Sequence, residues 1–367
     1  MDSNASAPLE QDPGSGGKGG GNTQTVSRED LERQYGDLAN KAQGGGGGGQ
    51  SSSPLNVRAG SGELKFSTKD LASGGFGSGW GQSRSYANIE GEDAGGANGN
   101  RWVDDQLWSL DFQGAAAGNN APARIKVRRG SAGSLWFQTT STTGVYAPLT
   151  TFYGDLRRDA TAKTFIYTDA NGNSREFFDN STSHSVDLRG KMKGMKDPFG
   201  NAAEMAYDEN DELKTVAWSG AGGTESRVYR YDYHDTLAHI GRLKAVTVEV
   251  GGKAVERSNY DYWTAGSAGG SENDLKGVRV ENFDGAVGSW KTTKQEHYRY
   301  WKSGQAGGFQ HGLKSVIGSE TFEKMAKSGV NPATASDAQV QEWSDQYLEY
   351  NSDRKVSVQK IRGKGGT

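Results

Sequence analysis

The sequence predicts a mainly β chain: antiparallel β-hairpin repeats continue one long sheet, with a disordered N-terminus and short helices near residues 28–43 and 320–349. Three observations carry that prediction. The phrase Leu-Lys-x-Val occurs four times, beginning at Leu213, Leu243, Leu275 and Leu313 and closing at Val216, Val246, Val278 and Val316. Around these copies fall five aromatic-Asp pairs: Phe178-Asp179, Tyr207-Asp208, Tyr231-Asp232, Tyr260-Asp261 and Phe283-Asp284. Self-similarity on a period of roughly 20–50 residues marks a repeat architecture, in which each unit buries its apolar face against the next. The third observation is composition. The 367 residues include 9 Trp, 15 Tyr and 12 Phe, a load that suits strands, and 55 Gly, many of them at turns between alternating runs.

Residues 1–53 read as a disordered Gly/Ser-rich segment, because such runs bury too little apolar surface to offset their ordering entropy. Within it, Ser27-Arg28-Glu29-Asp30 forms a capping-box pattern, and Leu31, Tyr35, Leu38 and Ala42 follow at helical spacing. Residues 54–150 read as a β-rich module preceding the repeats. Alternation marks strands at Glu63 to Ser67, Ser83 to Asn88, Ala123 to Arg128 and Leu135 to Thr139. The basic run Arg124 to Arg129 reads as the solvent face of one of them. Gly74 to Gly81 reads as a Gly/aromatic turn, since it lacks the residue order of a phosphate-binding loop.

Residues 151–301 are the repeat region. Tyr229, Tyr231 and Tyr233 share one strand face, and Val246, Val248 and Val250 share another. Asn171-Gly172 and Asp284-Gly285 predict type I′ hairpin turns, whose two central residues need positive φ. Residues 302–367 read as a helical insertion and then the start of further repeat strands. A helix over Glu320 to Lys327 precedes a second capping box at Ser336 to Gln339, with Val340, Trp343 and Tyr347 at helical spacing. Alternation returns at Lys355 to Ile361, and the chain reads as the N-terminal portion of a longer one.

With a net charge of −3 and no long basic run, nothing points to nucleic acid or to a charged membrane surface. No apolar run approaches the roughly 18 residues of a membrane span. The absence of cysteine excludes disulfides, Cys-zinc sites and a thiol nucleophile. His184, His234, His239, His297 and His311 lack metal-ligand spacing and read as surface residues at strand ends. Asp208 to Glu212 reads as an exposed acidic turn, with loose calcium binding the weaker alternative. No activated-serine motif is present. Neither a catalytic residue, a cofactor site nor a metal site is assigned, and the chain is expected not to be an enzyme.

At these residues the chain resembles the bacterial RHS-repeat (YD-repeat) proteins. Tyr231-Asp232 with Gly241-Arg242-Leu243-Lys244-Ala245-Val246-Thr247 is the copy most like the family unit, and Asp197-Pro198-Phe199-Gly200-Asn201 running into Tyr207-Asp208 is the second. Leu188 to Met195 departs from the pattern by losing the Gly-Arg-Leu core. Upstream, Gly75-Phe76-Gly77, Trp80-Gly81, Arg84-Ser85-Tyr86-Ala87-Asn88 and Gly99-Asn100-Arg101-Trp102 resemble the module that precedes the repeats. The resemblance spans roughly residues 55–367. It implies a curved, spiralling, shell-like sheet enclosing or displaying a C-terminal effector or toxin at the cell surface, with the remaining repeats and that effector as partners. The repeat-signature residues above, with Gly241 and Arg242, would carry this structural role. An alternative is a carbohydrate- or surface-binding module that stacks sugars on the Tyr229/Tyr231/Tyr233, Tyr260/Tyr262/Trp263 and Tyr298/Tyr300/Trp301 faces. Localisation is expected to be extracellular or at the cell surface, with the cytoplasm left open.

Overall fold

The computed structural model describes residues 56–57, 62–72, 79–88, 96–130, 133–150, 154–223 and 225–362. The expected disordered segment and the helix near 28–43 lie outside the described residues, as does most of the Gly/aromatic stretch. Two sheets account for the rest. Strands β1 (Asn56–Val57), β2 (Leu64–Leu71), β3 (Gln82–Ala87) and β4 (Trp102–Asp104) pair in chain order as a small inner sheet.

Eighteen further strands make one antiparallel wall, each pairing with the next in sequence. They begin with β5 (Ser109–Phe112), β6 (Arg124–Arg128), β7 (Ser134–Thr139), β8 (Val145–Pro148), β9 (Gly154–Asp159) and β10 (Thr164–Asp169). Next come β11 (Ser174–Phe178), β12 (Met192–Lys196), β13 (Ala202–Tyr207), β14 (Leu213–Ser219), β15 (Ser226–Tyr233) and β16 (Leu243–Val250). The last six are β17 (Lys253–Tyr262), β18 (Leu275–Asp284), β19 (Ser289–Tyr300), β20 (Leu313–Ile317), β21 (Gln346–Tyr350) and β22 (Val356–Ile361). The expected strands all form within a residue of their anticipated ends, except that β2 runs four residues further, to Leu71.

The wall closes on itself early. Ser109 at the head of β5 bridges to Lys191, just before β12, and the Leu110 amide donates to the Gly190 carbonyl at 2.8 Å. Strands β5 to β12 therefore form a ring, and β13 to β22 run on from it, which gives the spiral sense expected of the repeats. Gly190 sits at the closure with φ 79°, and a Cβ there would collide with the Leu110 carbonyl. One apolar core serves both sheets: Leu64, Tyr86 and Trp102 of the inner sheet, with Trp80 just before β3, join Val246, Tyr260, Tyr298 and Leu313 of the wall. The inner sheet thus covers the aromatic face of the late wall strands.

Between β20 and β21 the wall carries α1 (Ser319–Lys327) and α2 (Asp337–Trp343); Met325 of α1 and Val340 of α2 make a second, smaller core with Ile317 of β20. The Ser336 hydroxyl accepts from the Gln339 amide and the Gln339 side chain reaches back, so the predicted capping box forms. Three expectations need correction. Tyr347 is not helical: α2 ends at Trp343 and Tyr347 pairs with Ser315 in the wall, because its alternation suits the buried ladder as well as the helix. The hairpin turns are not type I′. In the first only Gly172 has positive φ, and in the second the left-handed residue is Gly288, four positions after Asp284. The Asp169 and Asp284 carboxylates accept turn amides instead, an Asx-type turn that holds longer loops. Finally, Arg129 is buried rather than solvent-facing, with its guanidinium over the Trp108 ring at 5.9 Å.

Candidate functional site

The repeated phrase has a physical reading that its spacing alone conceals. Side chains of a regular strand alternate, so residues three apart face opposite ways. Yet Leu213 and Val216 are both buried, as are Leu243 and Val246, Leu275 and Val278, and Leu313 and Val316. A β-bulge resolves the contradiction. Leu213, Leu243, Leu275 and Leu313 lie opposite Tyr207, Tyr233, Tyr262 and Tyr300, and in each copy the ladder skips the following lysine. The extra residue turns the strand so that Leu and Val share the core face. Met192 opposite Phe177 and Val356 opposite Tyr350 repeat the arrangement, skipping Lys193 and Ser357.

Two further positions complete the unit. The residue two places before each of these six apolar residues is left-handed: Gly190, Asp211, Gly241, Asn273, His311 and Arg354 have φ between 60° and 79°. Four of the six are not glycine, so those four copies each tolerate strain of about 1 kcal/mol to re-aim the strand. Tyrosine hydroxyls then tie each unit to the one before. Tyr207 donates to the Met192 carbonyl (2.5 Å), Tyr233 to Leu213 (3.0 Å), Tyr262 to Leu243 (2.9 Å) and Tyr350 to Leu313 (2.8 Å). Tyr300 breaks the series by accepting from Trp102 Nε1 of the inner sheet at 2.8 Å.

The aromatic-Asp pairs are consequently not equivalent to one another. Tyr207 is a bulge partner, and Asp208 anchors the following turn by accepting the Asn210 and Glu212 amides. Tyr231 and Tyr260 instead lie two residues before the bulge partners and face the inner sheet, while Asp232 and Asp261 point to solvent. Asp179 is fully buried and holds Arg158 at 2.7 Å, and Phe178 packs edge-on against Tyr207. Phe283 and Asp284 occupy a hairpin tip, where Phe283 is 42% exposed. Gly241 is the left-handed residue of its unit, and Arg242 Nη1 donates to the Gly96 carbonyl.

The densest chemistry lies in the seam between the inner sheet and the wall. Arg84 of β3 is fully buried and donates to Asp70 of β2 at 2.8 Å, to Glu296 of β19 at 2.8 Å and to the Tyr298 hydroxyl at 2.9 Å. Its guanidinium lies over Trp102 at 4.6 Å and Tyr298 at 5.1 Å. Tyr260 donates to Asp70 at 2.9 Å, Tyr298 donates to Glu296 at 2.6 Å, and Lys294 pairs with Glu296 at 3.1 Å. Two cations and two carboxylates thus balance across the interface. Burial disfavours the Arg84 charge, but Asp70, Tyr298 and Glu296 hold its pKa above the ordinary value. Burial likewise pushes the Glu296 carboxyl up, yet Lys294 and Arg84 hold it below the usual carboxylate range. The same burial raises Tyr260 and Tyr298. This network can clamp two sheets together; of its polar atoms, Arg84 Nη1 alone is buried without a hydrogen-bond partner.

Sequence reasoning missed this seam, because Arg84 and Glu296 are far apart in the chain and no motif links them. It also missed a second device that was visible. Trp263 and Trp301 each follow a Tyr-x-Tyr and precede a Gly-Gly pair by the same interval, at Gly269-Gly270 and Gly307-Gly308. The glycines lie flat on the indoles, where a Cβ would collide with the ring. The indole Nε1 groups donate to Tyr298 and Leu348 carbonyls at 3.1 and 3.0 Å.

The aromatic faces considered for sugar stacking are core. Tyr229, Tyr231, Tyr260, Tyr262, Tyr298 and Tyr300 are no more than 6% exposed, as are Trp263 and Trp301. Of the histidines, His297 is buried rather than at the surface, edge-on to Trp263. His311 donates to or accepts from Asp274 at 2.7 Å, His184 lies 3.5 Å from Asp179, and the His234 and His239 rings are 5.7 Å apart. Among the described residues, no group of three or more His, Asp or Glu could hold a metal ion.

No family model matches the chain, and no curated protein matches it. Solved structures do resemble it. One is a chain of the Photorhabdus luminescens Tc holotoxin pore, 10% identical, covering 67% of this chain and 16% of its own, with a TM-score of 0.42. Another is a chain in the crystal structure of TcdB2-TccC3-Cdc42, 11% identical, covering 65% and 16%, with a TM-score of 0.45. A porin-like protein from Bacteroides uniformis is 9% identical, covering 72% and 91%, with a TM-score of 0.28. The chain spans about a sixth of the two toxin-complex chains it resembles. Likenesses of this strength leave the role of the chain to its own residues.

Proposed function

We propose that this chain is a non-enzymatic scaffold, a wall segment of an RHS-type shell that encloses or displays a C-terminal effector segment at a bacterial cell surface. The observation that carries the reading is the shared core. An inner sheet and eighteen wall strands are clamped by the Arg84 network, and the bulged repeats are tied unit to unit by tyrosine hydroxyls. Such a chain spends its polar side chains on rigidity. Repeats of this kind build a surface by addition, each unit contacting chiefly its neighbours. The partners on this reading are further repeats, which would extend the sheet, and the segment they surround.

Cryo-electron microscopy of the protein isolated from its own cells tests the proposal. The expected result is a hollow particle whose wall contains this sheet and whose interior holds protein density. A solid particle with no internal space would contradict it.

A further inference from the structure

Strand β11, in the ring of β5 to β12, carries an arginine on its core side. Phe177 is buried in the core, and Arg175, two residues earlier, shares its face. Arg175 lies opposite Tyr167 of β10 and Met195 of β12, both of which pack in the core. Its guanidinium stacks on the indole of Trp108 at 3.8 Å, and the Arg129 guanidinium stands over the same indole at 5.9 Å. Tyr167 packs against Trp108 with ring centroids 5.7 Å apart, which holds the indole in place.

This guanidinium has no counter-ion. Arg175 Nε is buried without a hydrogen-bond partner. The carboxylate that acts on it is Asp169, at the start of the same turn. Both Asp169 oxygens are engaged elsewhere: one accepts the Asn171 and Asn173 amides, and the other accepts Asn173 Nδ2. Among the described residues no ion pair or hydrogen bond engages the Arg175 side chain, and its Nη groups are not enclosed as Nε is.

We propose that Arg175, stacked on Trp108 and flanked by Arg129, is a binding site for a carboxylate.

A guanidinium is a planar fork of donors that meets a carboxylate through two parallel hydrogen bonds. Stacking occupies the face of the Arg175 group and leaves its edge open, so the fork is ordered before a ligand arrives and binding need not order it. Burial lowers the Arg175 pKa and Arg129 adds repulsion, and a bound anion relieves both. Charge selects the kind of anion. The ionised groups acting on Arg175 are Arg129 and Asp169, so the three together carry one net positive charge. A single carboxylate neutralises it, whereas a doubly charged phosphate would overshoot.

The experiment is an NMR titration of the whole chain at constant ionic strength, following the Arg175 Nε–H and Trp108 indole N–H signals. The probes are propionate, inorganic phosphate and a capped tripeptide with a central glutamate. Both signals should move together and saturate with propionate at a Kd of about 1 mM, with phosphate weaker. Arg175→Lys keeps the charge but loses the fork, and should weaken binding about tenfold; Arg175→Gln should abolish saturation. Tighter binding of the tripeptide than of propionate assigns the site to an acidic peptide, and equal binding assigns it to a small organic acid; both support a carboxylate site. Shifts that rise linearly without saturating, saturation that survives Arg175→Gln, or phosphate binding more tightly than propionate overturns the proposal. If the variants do not fold, the wild-type titration decides: saturation at Arg175 Nε–H supports the site, and its absence overturns it.

Discussion

Gly241 shows how much a single φ angle governs here. It is one of six left-handed residues that precede the bulged strands, and it has the Glu212 carboxylate 3.2 Å from where a Cβ would stand. Gly241→Ala should lower stability by about 1 kcal/mol, measured by denaturant unfolding, because an L side chain resists this conformation. His297 sets a second residue-scale test. Burial, with Arg299 and Lys276 adding repulsion, pushes its pKa down to about 3. A depressed histidine is neutral in the fold and protonates on unfolding, so its stabilising contribution is present above the ordinary pKa of about 6.5 and is lost as pH falls toward 3. His297→Leu should therefore remove a stability loss of about 1.4 kcal/mol per pH unit in that range.

Strands and turns were legible where their signals are local. Alternation located the strands, and Ser336 with Gln339 located a helix start, because both depend on neighbours in sequence. The bulge was not legible. Leu-Lys-x-Val announces itself as a repeat, but only the opposing strand shows that the lysine is skipped. The Tyr-Asp pairs misled for a related reason: Tyr231 and Tyr233 share a face, so sequence cannot say which lies opposite Leu243. The helical insertion exploits this lattice. Where two earlier units present Asp232 and Asp261 to solvent, the third presents Arg299, buried beneath the helices. Arg299 binds Asp337 at the start of α2 at 2.7 Å and the Pro332 carbonyl at 2.9 Å, and the bulge residue Lys314 binds the other Asp337 oxygen at 2.7 Å. Arg299→Ala should release α1 and α2 while leaving the strands paired. Hydrogen exchange should quicken over residues 319–343 with little change in β15 to β18. Equal loosening everywhere would argue that the insertion is part of the wall.

At the scale of the whole molecule, long-range polar contacts decide the architecture, and these were the least legible of all. Composition and repeats foretold a large antiparallel sheet. They did not foretell that the upstream module divides, with β1 to β4 lying on the repeats and β5 to β8 entering the wall itself. Closure of the ring depends on one glycine: Gly190→Ala should drive the Leu110 backbone away, opening the β5–β12 junction and exposing the Ser109 and Leu110 amides to rapid exchange. The Arg84 network then joins inner sheet to wall. Removing the guanidinium would leave the buried carboxylates of Asp70 and Glu296 to Lys294 alone, a loss of about 3–5 kcal/mol.

That the two sheets behave as one body is best tested by hydrogen exchange on the wild type and on Arg84→Ala, followed residue by residue. The wild type should protect Trp102 to Asp104 and the facing strands β15 to β20 to the same degree, and Arg84→Ala should lower both together. An inner sheet that exchanges independently of the wall in the wild type would contradict the account.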